Sequence, residues 1–323
     1  MSTEVIFAVG VAGVLSLLAP FALRSLLIRW DVFDVPNHRS SHKRPTLRGG
    51  GIAPLLGLAT GGVLLLVNPS ADVVTPLVTA FVAAIVVAFV GLVEDIKGLP
   101  ITIRAGLQLC AGAAIGIAVV TATQSSWLWI PFVALVFTYH VNATNFMDGV
   151  NGISALHGAV VGASFAVIGL LHSLPWLTGS GMIIAVCYAA FLPWNLLPPG
   201  MFLGDVGSYL LGSSIAGIII IAVAAGVHPL AAIGPVCIYW ADTAFTLIRR
   251  LFKGEPIFQA HRSHAYQRLT DAKLSHIQVS TLVALFSTLT AATGLAVDQS
   301  WISPQVAIII LVVLMAGYLT SPH

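Results

Sequence analysis

Eleven runs of mostly apolar residues, each close to the length that crosses a bilayer, take up most of this chain. They fall near residues 5–23, 51–68, 74–93, 105–121, 127–141, 153–171, 176–196, 207–225, 228–248, 277–297 and 303–320. About 20 helical residues span the hydrocarbon layer, where only helices or closed barrels satisfy their backbone polar groups. The expected fold class is therefore all-α, a polytopic membrane helical bundle of about eleven transmembrane helices, with ten as the lower count. Only 8% of the 323 residues are charged, against about 25% in ordinary soluble domains, so a soluble fold is excluded. Residues 1–323 read as one integral membrane domain, without the internal repeat that marks two-fold transporters. The opening "MSTEVIFAVGVAGVLSLLAP" lacks a basic leader and reads as a retained first helix. Cys110, Cys187 and Cys237 lie inside apolar runs without metal or redox spacing and read as small buried residues.

The charges set the orientation. All 14 Lys and Arg fall in three segments, Arg24 to Arg48, Lys97 to Arg104 and Arg249 to Lys273. With eleven spans these are the first, third and ninth loops, which share one side of the membrane. The loops near 69–73, 122–126, 172–175 and 298–302 contain none. The positive-inside rule puts the odd-numbered loops and the C-terminus in the cytoplasm and the N-terminus outside.

Every chemically capable cluster lies on that cytoplasmic face. The five loops carry "DVFDVPNHRSSHKRPTLRGGG", "VEDIKGLPITIR", "NATNFMDGVNG", "NLLPPGMFLGDVGS" and "RRLFKGEPIFQAHRSHAYQRLTDAK". Asp and Asn at helix ends in an apolar chain face a cavity, a partner or a metal, because a carboxylate at bilayer depth costs about 3 kcal/mol. Glu94, Asp95, Asp148 and Asp205 suit a hard divalent cation, which takes one or two carboxylates plus substrate phosphates. Arg48, His261, Arg262 and His264 suit phosphate oxygens. Glycines in "LRGGG", "MDGVNG" and "LGDVGS" let backbone N–H groups approach a ligand closely. Together these describe a metal–diphosphate site at the cytoplasmic surface. His140, His157, His172 and His228 are unclustered and read as structural. Asp242, about two turns before the end of its helix, is either a structural partner of Arg249 or another polar group, or a site residue.

The ordered series "DVPNHRSSHKRPTLRGGG", "VEDIKGL", "NATNFMDGVNGISA", "FLGDVGSYLLG" and "HRSHAYQRL" resembles the polyprenyl-phosphate N-acetylhexosamine-1-phosphate transferases over residues 31 to 270. The resemblance implies ten or eleven helices with an active site in the cytoplasmic loops. It implies transfer of a sugar 1-phosphate from a UDP-sugar to undecaprenyl phosphate with release of UMP, using magnesium, or manganese in its place. "HRSHAYQRL" stands where the peptidoglycan enzymes carry a triple-His motif, and is similar instead to the branch initiating O-antigen and exopolysaccharide synthesis. The implied donor is a UDP-N-acetylhexosamine or its 6-deoxy form, and the implied place is the bacterial inner membrane. The expected partners are that donor, undecaprenyl phosphate and membrane lipid, with no nucleic acid; a homodimer is compatible with the sequence.

The resemblance also implies roles. Asp205 is the metal ligand, with Asp95 and Asp148 as further metal candidates and Glu94 as a base. Glu94 replaces the first Asp of the family's pair, Asn151 a second Asp, and Pro199 an Ala. Asn142, Asn145, Asp148, Asn151 and Asn195 line or position the nucleotide pocket. His261, Arg262 and His264 contact the diphosphate or sugar, and Arg48 and Lys97 bind substrate. A rival reading, a transporter or flippase of nucleotide sugars or lipid-linked sugars, requires charged residues in mid-helix along a path open to both sides. The motifs on one face and the featureless opposite loops argue against it.

Overall fold

A computed structural model describes residues 2–34, 45–66, 73–198, 200–256 and 262–322. The helices are α1 (Thr3–Arg29), α2 (Ile52–Leu65), α3 (Val74–Lys97), α4 (Ile101–Thr123), α5 (Trp129–Met147), α6 (Ile153–Leu171) and α7 (Pro175–Leu196). They continue as α8 (Gly204–Ala224), α9 (Pro229–Ile233), α10 (Cys237–Phe252), α11 (Ala265–Asp271), α12 (His276–Asp298) and α13 (Pro304–Thr320). A two-stranded ribbon pairs β1 (Phe33–Asp34) antiparallel with β2 (Thr46–Leu47).

Each apolar run falls on a helix, with α9 and α10 joined through a 3₁₀ turn into the ninth. Eight of these segments are long and apolar enough to cross a membrane, and the chain is a multi-pass membrane protein. Helices α2, of 14 residues, and α13, of 17, are shorter. The differences from the sequence reading lie at the motif-bearing ends. Helix α3 runs on through Glu94 and Asp95 to Lys97, α5 runs on through Asn142 and Asn145, and α8 already begins at Gly204. Polar residues assigned to loops are thus helical, because their side chains find partners inside the bundle.

The axis of the bundle is α8, 83% of whose apolar window is buried, against 28% for α1 at the rim. It lies against α3 and α5. Small residues permit this: a Cβ at Gly212 would lie 2.8 Å from Val141 Cα, and one at Gly217 would lie 2.9 Å from Ala80 Cβ. Membrane helices associate through such small-residue contacts and polar cross-links. Helices α1 and α7, each with an internal proline, Pro20 and Pro193, are joined by the second device. Ser16 Oγ donates to Cys187 O at 2.7 Å and Trp194 Nε1 donates to Leu17 O at 2.9 Å. Cys187 and Cys237 are buried as expected, but Cys110 is exposed. It sits on the outward surface of α4, where lipid takes the place of a protein core.

The isolated histidines make their contacts within the bundle. His140 accepts from Trp240 Nε1 at 2.8 Å, and His157 stacks on Tyr239 with centroids 3.5 Å apart. At the end of the bundle away from the motifs, His172 Nε2 lies 2.7 Å from Asp298 Oδ2. Asp298 also accepts from the His228 backbone N–H at 3.1 Å and from Gln299 Nε2 at 3.1 Å.

Candidate active site

The five motif-bearing segments converge at one end of the bundle. The ribbon brings the first of them in: Phe202 N–H donates to Leu47 O at 2.8 Å, and Gly50 and Gly51 N–H donate to Phe202 O and Leu203 O at 2.9 and 2.7 Å. Residues 47–51 therefore zip onto 201–203, ahead of α8. A Cβ on Gly51 would come within 2.3 Å of Gly207 Cα, so these glycines serve a backbone crossing. This corrects the expectation that the amides of "LRGGG" face a ligand, since those of Gly50 and Gly51 are already bonded within the protein.

The crossing delivers Arg48 to two carboxylates. Its Nε lies 2.6 Å from Asp95 Oδ1 and its Nη2 lies 2.8 Å from Asp205 Oδ1. Asp95, fully buried on α3, also accepts from the Asp205 and Val206 backbone N–H groups at 2.9 and 3.0 Å. It thereby caps the N-terminus of α8, where unpaired N–H groups and the helix dipole favour an anion. Gly204 has φ +74°, and a Cβ there would sit 2.6 Å from Asp95 Oδ2. The Gly-Asp pair is thus fixed by a left-handed backbone pressed against a carboxylate. Burial works against the charge of Arg48, but Asp95 and Asp205 more than offset it and hold its pKa above the ordinary arginine value.

A second guanidinium closes the cluster. Arg104 Nη1, on α4, lies 3.2 Å from Glu94 Oε1 and 3.7 Å from Asp205 Oδ2, and donates to Tyr209 Oη at 3.1 Å. Glu94 also accepts from the Leu99 N–H. Asn145 Nδ2 donates to Asp205 Oδ1 at 3.1 Å and to Ser208 Oγ at 3.0 Å. Asn142, one turn earlier, donates to Gln108 Oε1 at 2.6 Å. Asp205 therefore meets groups from four segments while its side chain keeps 14% exposure, and Arg48 keeps 32%.

The remaining predicted residues surround this centre. Asp148 is half-buried at the end of α5, and desolvation pushes its carboxyl up to about 7, opposed by the Ser154 hydroxyl and Arg48 and reinforced by Asp205. Asn195 accepts from the Gly152 N–H and donates to Met201 O at 2.9 Å, tying the "MDGVNG" turn to the strand entering α8. Asn151 bonds α12 through its backbone, its N–H reaching His276 Nδ1 at 3.3 Å and its carbonyl accepting from Ser280 Oγ at 2.9 Å. Lys97 is exposed at the end of α3. Arg262 pairs with Asp271 at 2.8 Å, and His264 is buried with Nδ1 3.1 Å from Asp242 Oδ1. Neither is placed on the Arg48–Asp205 cluster. His261 lies outside the described residues.

Arg104, Ser208 and Tyr209 escaped the sequence reading, which counted Arg104 only as a cytoplasmic charge. Its signal was available: an arginine within the first turn of an apolar span is costly unless it serves a polar site.

Among the described residues no three His, Cys, Asp or Glu side chains form a ready-made metal cage. The donor set nonetheless fits magnesium or manganese. It consists of hard carboxylate oxygens, and Arg48 bridges two of them as a cation would. Such ions commonly take one or two carboxylates and complete their shell with substrate phosphates and water.

The model of glycosyl transferase family 4 matches residues 77–223, a stretch containing Glu94, Asp95, Arg104, Asn145 and Asp205. A probable undecaprenyl-phosphate N-acetylglucosaminyl 1-phosphate transferase of Bacillus subtilis is 24% identical, covering 97% of this chain and 92% of its own length. An undecaprenyl-phosphate alpha-N-acetylglucosaminyl 1-phosphate transferase of Escherichia coli K12 is 27% identical over 91% of this chain and 84% of its own length. Its namesake in Yersinia pestis is 27% identical over 98% and 91%. The chain is thus similar over residues 77–223 to glycosyl transferase family 4, and nearly end to end to undecaprenyl-phosphate N-acetylglucosaminyl 1-phosphate transferases.

Proposed function

We propose that this protein transfers the sugar 1-phosphate of a UDP-N-acetylhexosamine, or of its 6-deoxy form, to undecaprenyl phosphate. A phosphate oxygen of the lipid attacks the sugar-bearing phosphorus, the bond to the bridging oxygen of the diphosphate breaks, and UMP leaves. The observation that carries this reading is Arg48 and Arg104 held over Asp95, Asp205 and Glu94 at one end of a membrane bundle. Relatives named for this reaction support it, and their names favour N-acetylglucosamine as the sugar. The reaction would serve as the initiating step of O-antigen or another envelope polysaccharide, on the cytoplasmic side of the bacterial inner membrane.

The residues divide the work as follows. The acceptor phosphate has a second pKa near 6, so it is mostly dianionic at pH about 7 and needs little help from a base. Glu94 is left to orient Arg104. Rate then rests on in-line positioning and charge neutralisation. Arg48 and Arg104 are pre-oriented by carboxylates and offer planar arrays of donors to phosphate oxygens. Asn145 fixes the rotamer of Asp205. Asp205 and Asp95, with Asp148 beside them, would hold magnesium or manganese. When bound, that ion supplies charge neutralisation on the diphosphate.

The test is UMP release by purified protein given undecaprenyl phosphate, magnesium and a panel of UDP-N-acetylhexosamines and their 6-deoxy forms. Release that requires lipid and metal is the expected result, and the best donor names the sugar. Folded protein that releases UMP from no donor would overturn the reading in favour of transport.

A further inference from the structure

Asp242 is fully buried in the span formed by α9 and α10, where an ionisable side chain is costly and is kept for a use. It does not meet Arg249, whose Nη2 donates to Ser263 O at 3.2 Å. Five groups converge on its carboxylate instead. The Ala265 and Tyr266 N–H groups donate at 2.9 and 3.3 Å, and His264 Nδ1 lies 3.1 Å away. Thr246 Oγ1 approaches at 3.3 Å, and Tyr318 Oη, from the last turn of α13, donates at 2.7 Å. The same turn of α13 accepts from Arg268 Nη2 at Leu319 O, 3.1 Å away. The ninth loop is thus fastened to the bundle at one buried carboxylate and clamped from above by the end of α13.

That loop bears on the site. Tyr266 Oη donates to Phe146 O at 2.9 Å, and a Cβ on Gly149 would run into that Tyr266 hydroxyl. The rings of Phe146 and His264 stand 6.3 Å apart. Phe146 follows Asn145, which donates to Asp205, and Asp148 and Gly149 lie just beyond it. A continuous run of contacts joins Tyr318, Asp242, Tyr266 and the 145–149 turn to the Arg48–Asp205 cluster.

We propose that Asp242 and Tyr318 are positioning residues. The end of α13 sets the placement of the "HRSHAYQRL" segment and, through Tyr266, of the 145–149 turn against the donor's diphosphate. The role in donor binding rests on the transferase reading; the clasp itself does not. Neither side chain touches the reacting groups, so their loss weakens donor binding more than turnover.

Two variants test this, Tyr318→Phe, which removes one hydroxyl and keeps the ring, and Asp242→Asn. Asp298→Asn, at the far end of the bundle, reports generic loss of stability. Hydrogen exchange of the 264–271 peptide in detergent-solubilised full-length protein is read first. It is expected to speed up about 5–30-fold in both variants and to stay unchanged in Asp298→Asn. Donor KM is expected to rise by a similar factor in both while kcat stays within about twofold, and the double variant should fall short of the product of the two effects. Unchanged exchange in both variants, an equal change in Asp298→Asn, or a fall in kcat at constant KM would overturn the proposal. Wild-type protein without transferase activity would overturn the transferase reading and the donor-binding role resting on it, while hydrogen exchange would still decide the clasp.

Discussion

Each end of the bundle carries a buried carboxylate in a knot of hydrogen bonds, and the two knots differ in one respect. Asp298 faces one imidazole, one backbone N–H and one amide. Those partners satisfy it and meet no second carboxylate. Asp205 and Asp95 share Arg48, Asp205 and Glu94 share Arg104, and the half-buried Asp148 feels the charges of Asp205 and Arg48. Three carboxylates share two guanidiniums that keep partial contact with solvent, so each cation faces more than one anion. The far knot is a fastening, and the near one is a set of groups held ready for exchange.

The sharpest way to break that contrast is a neutral swap at each end. Asp205→Asn should lower UMP release by at least about 10³-fold, the scale on which charge-positioning groups act, in protein that still inserts and elutes as a single species. Near-normal turnover would remove Asp205 from the site. Arg48→Lys should lower it by about 100-fold, because one ammonium cannot bridge Asp95 and Asp205 as a planar guanidinium does; steady-state kinetics decide this. Asp298→Asn should leave turnover within about twofold yet weaken the fold by about 2 kcal/mol, the scale of a hydrogen bond to a charged group. A thermal melt that shows no loss would mean the far knot is ornamental.

Much of the contrast was legible in the residues. Apolar run length places eleven helical segments, eight of them long and apolar enough to cross a membrane, and charge segregation singles out the end where the carboxylates and guanidiniums meet. Asp205, Asp95, Arg48 and Asn145 were all named, because Asp, Asn and Arg beside bilayer-length helices have few other uses. What remained hidden depends on three-dimensional approach. Nothing in "ITIR" tells that Arg104 turns toward Glu94 and Tyr209. Nothing in "YWADTAF" tells that Asp242 meets a residue 76 positions later. The glycines of "LRGGG" look like an anion cradle until the crossing partner at Gly207 is seen.

A last comparison is within the site, and its effect is the smallest. Burial raises the carboxyl of Asp148 from the ordinary 3.8 to about 7. The folded state therefore holds a proton that the unfolded chain releases, and folding stability falls as pH rises from about 4 to about 7. Below both values the residue contributes nothing to the slope. Asp148→Asn should flatten the melting temperature of ligand-free protein across that window relative to wild type. An identical pH profile in the two proteins would mean that Asp148 stays ionised throughout.

The close passage of Gly51 over Gly207 bears on how such a protein can change over generations. One strand of the crossing precedes α2 and the other lies in the first turn of α8, so they are far apart in the gene yet have no room between them for a single methyl group. Neither position can drift alone, and a compensating change at the other is closed off because that residue is already the smallest. Recombination that imports one segment without its mate should fail unless the donor sequence carries the same pair. The loops around this fixed joint can diversify freely, while the joint and the Arg48–Asp205 pair it delivers are inherited together.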